Sequence, residues 1–333
     1  MRGKNVFSDS RSGPGRFVFI AFLLLIAVFG VHVVIDNGSA VVLSQKVLVS
    51  NLPGELEGFT VLHLSDLQGK RFGPRQKQLE AVLRGKKYNA VCLTGNMIGP
   101  RGDVYPLYEL LSILDPTKPV YFIAGDLDPA VKTREVSPED WKIRLQARGA
   151  VFLEKPAYIT IGKSKVWFSD ASQLPLDLNN AKAAYEASAS PESTRMLDVI
   201  MQNIALRKEM LEDELHIALS AMPVRQETMA TLQSVSDPDM NKFLRSVDLI
   251  LAGGTAGGQW DLPLIGPVWS AGFFPKAEMV RGYHYVGSFL QYISGGLGTL
   301  SNSPLPKFRV MNTPEMALIT FTSKMDEDVL PGS

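Results

Sequence analysis

The chain has 333 residues, 45% hydrophobic and 20% charged, with 34 basic side chains set against 34 acidic ones. A balance of zero supplies no cationic excess for neutralising phosphates, so nucleic-acid binding is not expected. The lone cysteine, Cys92, excludes an internal disulfide and a thiolate metal cluster. Stability must come from packing, and the length and apolar content allow a sizeable core.

The first element is an uncharged run, FVFIAFLLLIAVFGVHVVI, over residues 17–35. As a helix rising about 1.5 Å per residue it would extend about 28 Å, close to the thickness of a bilayer core. The small residues Gly38, Ser39 and Ala40 raise the alternative of a cleaved signal peptide. The apolar part of such a peptide is only about 7 to 15 residues long, which favours an uncleaved anchor. Arg2, Lys4, Arg11 and Arg16 precede the run against Asp9 alone, whereas Asp36 and Lys46 follow it. This bias predicts a single-pass protein of the cell membrane with a cytoplasmic amino terminus and an extracytoplasmic domain. The expected divisions are a cytoplasmic tail (1–16), the anchor (17–35), a linker (36–47), one folded domain (48–322) and a flexible tail (323–333).

Beyond the anchor, short β-rich apolar runs recur at 59–65, 89–95, 119–125, 157–162, 164–170, 216–220, 247–253 and 316–321. Residues 75–83 and 106–114 lie between them with apolar side chains at helical spacing. This alternation predicts a layered α/β domain. The polar stretch 178–214 includes MLDVIMQNIALRKEMLEDEL, whose spacing at three and four predicts an amphipathic helix covering a sheet.

Several strand-like runs end in polar or glycine-rich turns: His63 to Gln68, Thr94-Gly95-Asn96, Gly125-Asp126-Leu127-Asp128, and the loop Gly253 to Gln259. At the carboxyl ends of strands in α/β sheets, such turns converge on a shared crevice. Their succession resembles the calcineurin-like metallophosphoesterases, particularly the membrane-associated bacterial branch. That family carries D-x-H, G-D-x-x-D, G-N-H-D, a lone histidine, and G-H-T-H-G-G-Q in this order. The resemblance extends to Phe72-Gly73-Pro74, GGQWDLPLIGPVW (257–269), Phe274-Pro275-Lys276, YISGGLG (292–298) and Pro314-Glu315. It implies a four-layer α/β/β/α sandwich of two mixed sheets, preceded here by one transmembrane helix, with a two-metal hydrolytic cleft at the strand ends.

The ligand positions depart from that pattern. Asp66 matches the first aspartate, but Gln68 replaces the histidine two residues later, and Asn96 replaces the metal-bridging aspartate. Asp126 stands for the asparagine ligand, and Leu127 for the catalytic histidine. Ala221 takes the place of the lone histidine, and Gly254 and Ala256 those of the G-H-T-H pair. Two-metal hydrolysis needs a bridging anion, and donors that fix both ions about 3.5 to 4 Å apart. The family's dinuclear Mn, Fe or Zn centre is therefore expected to be lost, with no intact catalytic residue and no tightly bound cofactor. Asp66 and Asp126 remain oxygen ligands for a weakly held Mg²⁺ or Ca²⁺, with Gln68, Asn96 or Asp128 as further donors.

The remaining histidines offer no substitute. His63 reads as a core or rim residue, His216 as a surface residue, and His284 lies between aromatics. Without cations, Asp66, Asp126 and Asp128 would repel a phosphate unless Lys70, Arg71 or another base reached in. The expectation is a membrane-anchored pseudoenzyme that binds a protein partner at the cell surface, with the glycine-rich loop 253–258 exposed to that partner. The alternatives are a phosphodiesterase with one divalent cation on Asp66 and Asp126, and a small-ligand sensor walled by Trp260 and Trp269.

Overall fold

The protein is described from a computed structural model covering residues 14–99, 102–126, 128, 138–174, 178–228, 247–270, 275–276 and 279–324. The chain begins with α1 (Pro14–Gly38), β1 (Val41–Leu48), β2 (Thr60–Leu64), α2 (Lys77–Leu83), β3 (Ala90–Thr94) and α3 (Tyr105–Ile113). Next come β4 (Val120–Ile123), α4 (Pro138–Gln146), β5 (Ala150–Phe152), β6 (Ala157–Ile161), β7 (Ser164–Asp170), α5 (Leu178–Ala187) and α6 (Pro191–Glu209). The rest holds β8 (Leu215–Ser220), β9 (Leu249–Ala252), a short hairpin of β10 (Asp261–Leu262) and β11 (Gly266–Pro267), then β12 (Gly282–Val286), β13 (Phe289–Ile293) and β14 (Glu315–Thr322).

Two six-stranded mixed sheets result, with orders β1-β14-β2-β3-β4-β5 and β12-β13-β9-β8-β7-β6. β2 to β5 run parallel, as do β7, β8, β9 and β13, whereas β14 is antiparallel to β2 and parallel to β1. The sheets face each other across Val61, Cys92 and Ile319 on one side and Val166, Ile217 and Leu251 on the other. Tyr121 stacks on Phe168 across this interface, with ring centroids 4.0 Å apart. All five residues of β3 are buried. Its unbroken apolar run is what a strand covered on both faces requires.

Leu79, Leu107, Leu110, Trp141 and Leu145 from α2, α3 and α4 pack on the outer face of the first sheet. On the outer face of the second, Trp167, Ala218, Ile250 and Phe289 pack with Leu174, Met210 and Val247. The architecture is the expected one of two mixed sheets with outer helices.

Three expectations change in detail. Residues 41–47 are not a linker, because β1 pairs residue by residue with β14. The stretch 178–214 holds two helices, broken before Pro191 and ending at Glu209; the fixed φ of Pro191 suits the first turn of α6. Of α6, Ile200, Asn203 and Arg207 are buried while Met196 and Met201 stay exposed, so it covers less than a core helix would.

α1 is 25 residues long, and its large apolar side chains from Phe17 to Ile35 are exposed apart from the half-buried Val33. By length and composition it could cross a bilayer. It ends on the domain: the Asn37 amide donates to Arg309 O at 2.8 Å, and Asn37 Oδ1 accepts from Arg309 N at 2.8 Å. Thr313 Oγ1 donates to Asp36 Oδ1 at 2.8 Å.

Candidate functional site

Parallel strands place successive loops at one edge, and the glycines there show how tightly these meet. A Cβ built on Gly95 would lie 2.7 Å from Gly125 N and 3.2 Å from the Ala221 Cβ; one on Gly253 would lie 2.7 Å from Ser65 Cβ and Thr94 O. The loops after β2, β3, β4, β8 and β9 therefore converge, as the sequence predicts. Five of the family-matched positions carry positive φ: Asp66 at 51°, Gln68 at 53°, Asn96 at 53°, Gly254 at 84° and Ala256 at 46°. Left-handed backbone is unfavourable for an alanine, so such a cluster stands only where its surroundings enforce it.

At the centre, Asp66 is fully buried. Its Oδ1 accepts from the Asn96 amide at 3.2 Å, and its Oδ2 from Gly254 N at 2.8 Å. Burial pushes its pKa up, opposed by those two hydrogen bonds and by the charge of Arg309. Arg309 is buried too, with Nε donating to Gly298 O at 2.7 Å, Nη2 to Gly295 O at 2.8 Å and Nη1 to Asn312 Oδ1 at 3.2 Å. Burial and Arg281 lower its pKa to about 10, while Asp66, Glu315 and Asp36 favour its charged form. It remains a cation at neutral pH. The base able to offset Asp66 is thus Arg309, whereas Arg71 pairs at the surface with Asp103 and Glu109. Lys70 lies over the Phe72 ring with its pKa lowered to about 7, mainly by burial.

The other candidate positions are dispersed or filled. Asp126 is exposed in the loop after β4, and Leu127 lies outside the described residues, as does Phe274. Asp128 is not a cleft carboxylate: it is buried, accepting from Ile98 N at 2.8 Å and Gly125 N at 3.0 Å, and so ties two loops together. Burial raises its pKa to about 7 against these bonds. A Cβ at Gly254 would meet the Met222 sulfur at 2.2 Å and Ala221 O at 2.4 Å, so Met222 fills the space a side chain at position 254 would enter. The loop 253–258 is enclosed, contrary to expectation, by Met222, Asn312 and Pro267. Trp260 stacks on Phe308 rather than walling an open cleft.

Among the described residues, no group of three or more His, Cys, Asp or Glu side chains could hold a metal ion. The donors present do not fit a dinuclear centre. His63 is a core residue bonded to Thr94 Oγ1 at 2.8 Å. His216 is likewise buried, bonded to Ser169 Oγ at 2.8 Å, which corrects its surface reading. His284 Nε2 bonds Arg281 O at 2.7 Å.

No protein-family model matches the chain. In sequence it is similar to YkoQ of Bacillus subtilis (strain 168), an uncharacterized metallophosphoesterase, at 24% identity over 246 residues, covering 72% of this chain and 76% of YkoQ. The sequence similarity to that metallophosphoesterase runs over most of both chains. Among solved structures it is similar to a phosphopantetheinyl hydrolase from Mycobacterium tuberculosis, with a TM-score of 0.39 at 10% identity, over 72% of this chain and 91% of the other.

Within this metallophosphoesterase-like site, the sequence reading misses the network behind the loops. The Asn312 amide donates to Ala256 O and Gly257 O at 3.0 Å, and Glu315 Oε1 accepts from Gly295 N at 2.8 Å. Arg281 pairs with Glu315 at 3.4 Å and also bonds Asn312. Pro314-Glu315 is a recognisable motif, but a lone arginine such as Arg309 reads as a surface residue.

Proposed function

We propose that this metallophosphoesterase-like protein is a membrane-anchored pseudoenzyme, which acts by binding a protein partner at the cell surface and does not hydrolyse phosphoesters. One observation carries the reading: both Asp66 oxygens are taken up by protein donors inside a sealed site that holds its own cation, Arg309. A metal ligand needs lone pairs facing a space where an ion can sit. Met222 against Gly254, and alanine at 221 and 256, supply neither donors nor room. The alternative of one Mg²⁺ or Ca²⁺ on Asp66 and Asp126 is disfavoured by the burial of one carboxylate and the exposure of the other. The anchor reading draws on the length and apolar surface of α1.

The test is to purify the full chain in detergent, measure bound Mn, Fe, Zn and Mg, and assay a bis-aryl phosphate and an aryl monophosphate with each metal added. The expected result is substoichiometric metal and no turnover above that of Asp66→Ala. Turnover that disappears in Asp66→Ala overturns the reading. The partner is sought by crosslinking in native membranes, where a stoichiometric adduct is expected.

A further inference from the structure

The β10–β11 hairpin carries two apolar side chains that no described residue covers. Leu264 is 108% exposed and Ile265 is 74% exposed, the two most exposed large hydrophobic residues described in the protein. Leu264 also sits at φ 68°, a left-handed conformation that glycine or asparagine adopts at far lower cost. Neither core packing nor the turn explains a leucine there. Strain on an exposed apolar residue points to a contact made outside the chain.

The root of this hairpin adjoins the end of α1. Asp261 N donates to Val310 O at 2.9 Å, and Trp260 and Val310 form a parallel bridge. The neighbouring Arg309 is the residue bonded through both its N–H and its C=O to Asn37 of α1. Leu264 lies three residues past Asp261, in the turn closed by Ile265 N donating to Leu262 O at 3.1 Å, so it is at most about 10 Å from Asp261. Met311 on the same docking loop, and Val41 just after α1, are further exposed apolar residues beside the helix end.

The geometry points to the hairpin tip, Leu264 and Ile265, as a second membrane contact that dips into the leaflet from which α1 emerges. The contact rests on the reading of α1 as a membrane anchor. The polar interfacial zone on each side of a bilayer is about 5 to 7 Å deep, a depth that two apolar side chains at a loop tip can enter. A bilayer suits this tip because the attached helix already places one beside it.

The experiment uses the full chain in phosphatidylcholine vesicles containing phosphatidylglycerol, with a polarity-sensitive fluorophore on a single introduced cysteine. Cys92 is buried and its thiol pKa is raised by burial, so the introduced thiol reacts selectively. Labels at Leu264→Cys and, independently, Ile265→Cys are compared with Lys182→Cys on the exposed side of α5 and Leu24→Cys within α1. The expected result is blue-shifted emission at 264 and 265, with at least twofold stronger quenching by nitroxide lipids than at 182. If 264 and 265 respond to aqueous iodide alone while position 24 is lipid-quenched, the hairpin contact is overturned and the anchor stands. If position 24 is also aqueous, the anchor reading falls with it. Shielding of 264 from both quenchers means that protein covers the tip, and overturns the lipid assignment.

Discussion

Asp66 and Arg309 together show how a site of this shape can stay folded without ions. A carboxylate out of water needs a counter-charge or hydrogen bonds from donors already in place. Here Gly254 N–H and the Asn96 amide supply the bonds and Arg309 the charge, with no binding equilibrium to satisfy. His63 follows the opposite rule. Its burial lowers its pKa to about 3, from an ordinary 6.5. Between those values the unfolded chain holds a proton that the folded chain does not, so stability falls as pH drops below about 6.5. From pH 6.5 to 5 the loss is about 2 kcal/mol at about 1.4 kcal/mol per unit. The raised pKa values of Asp128 and Asp248 work in the other direction and together outweigh it, so the His63 contribution is read as a difference between variants. Urea titration of the detergent-solubilised protein at pH 7 and pH 5 should therefore show that, on going to pH 5, the wild type changes in stability by about 2 kcal/mol less favourably than His63→Gln. Equal changes would assign no such role to His63.

Among the elements, the joint between α1 and the domain rests on few bonds. Asn37 accounts for two of them, and its amide also caps Val33 O. Asn37→Ala should speed amide hydrogen exchange at Arg309 about tenfold, the equivalent of one ordinary hydrogen bond of about 1.4 kcal/mol. Unchanged exchange would mean that the helix end is held by other contacts. Eight strands, β2 to β4, β6 to β9 and β14, and the helices α1, α2, α3 and α6 were legible because apolar runs and apolar spacing announce them, whereas β12 and β13 were not read. β1 was not, since VVLSQKVL follows directly on the anchor and carries Ser44, Gln45 and Lys46, as befits a partly exposed edge. β5 has only three residues, too few to show a period. At the site, the polar and glycine-rich turns at the strand ends announced where the loops converge. The enclosure of loop 253–258, the inward place of His216 and the burial of the Arg309 guanidinium depend on long-range packing, which no local pattern encodes.

For the whole molecule, two sheets packed face to face provide a continuous core, so stability need not come from bound ions. A protein that binds metal only when folded is stabilised by that metal through mass action. Exhaustive dialysis against a chelator should leave the melting temperature of this protein unchanged within about 1 °C, whereas a dinuclear centre held at a hundred times its dissociation constant contributes about 2.7 kcal/mol. A fall of several degrees, restored by manganese, would count against an ion-free scaffold. The placement of β14 between β1 and β2 also bears on biosynthesis. β1, the strand nearest α1, finds its neighbour only when the segment ending at Thr322 leaves the ribosome, on the order of half a minute later at about 5 to 20 residues per second. Throughout that interval the nascent polypeptide carries two open sheet edges, and a premature stop codon ahead of residue 315 would leave them open for good.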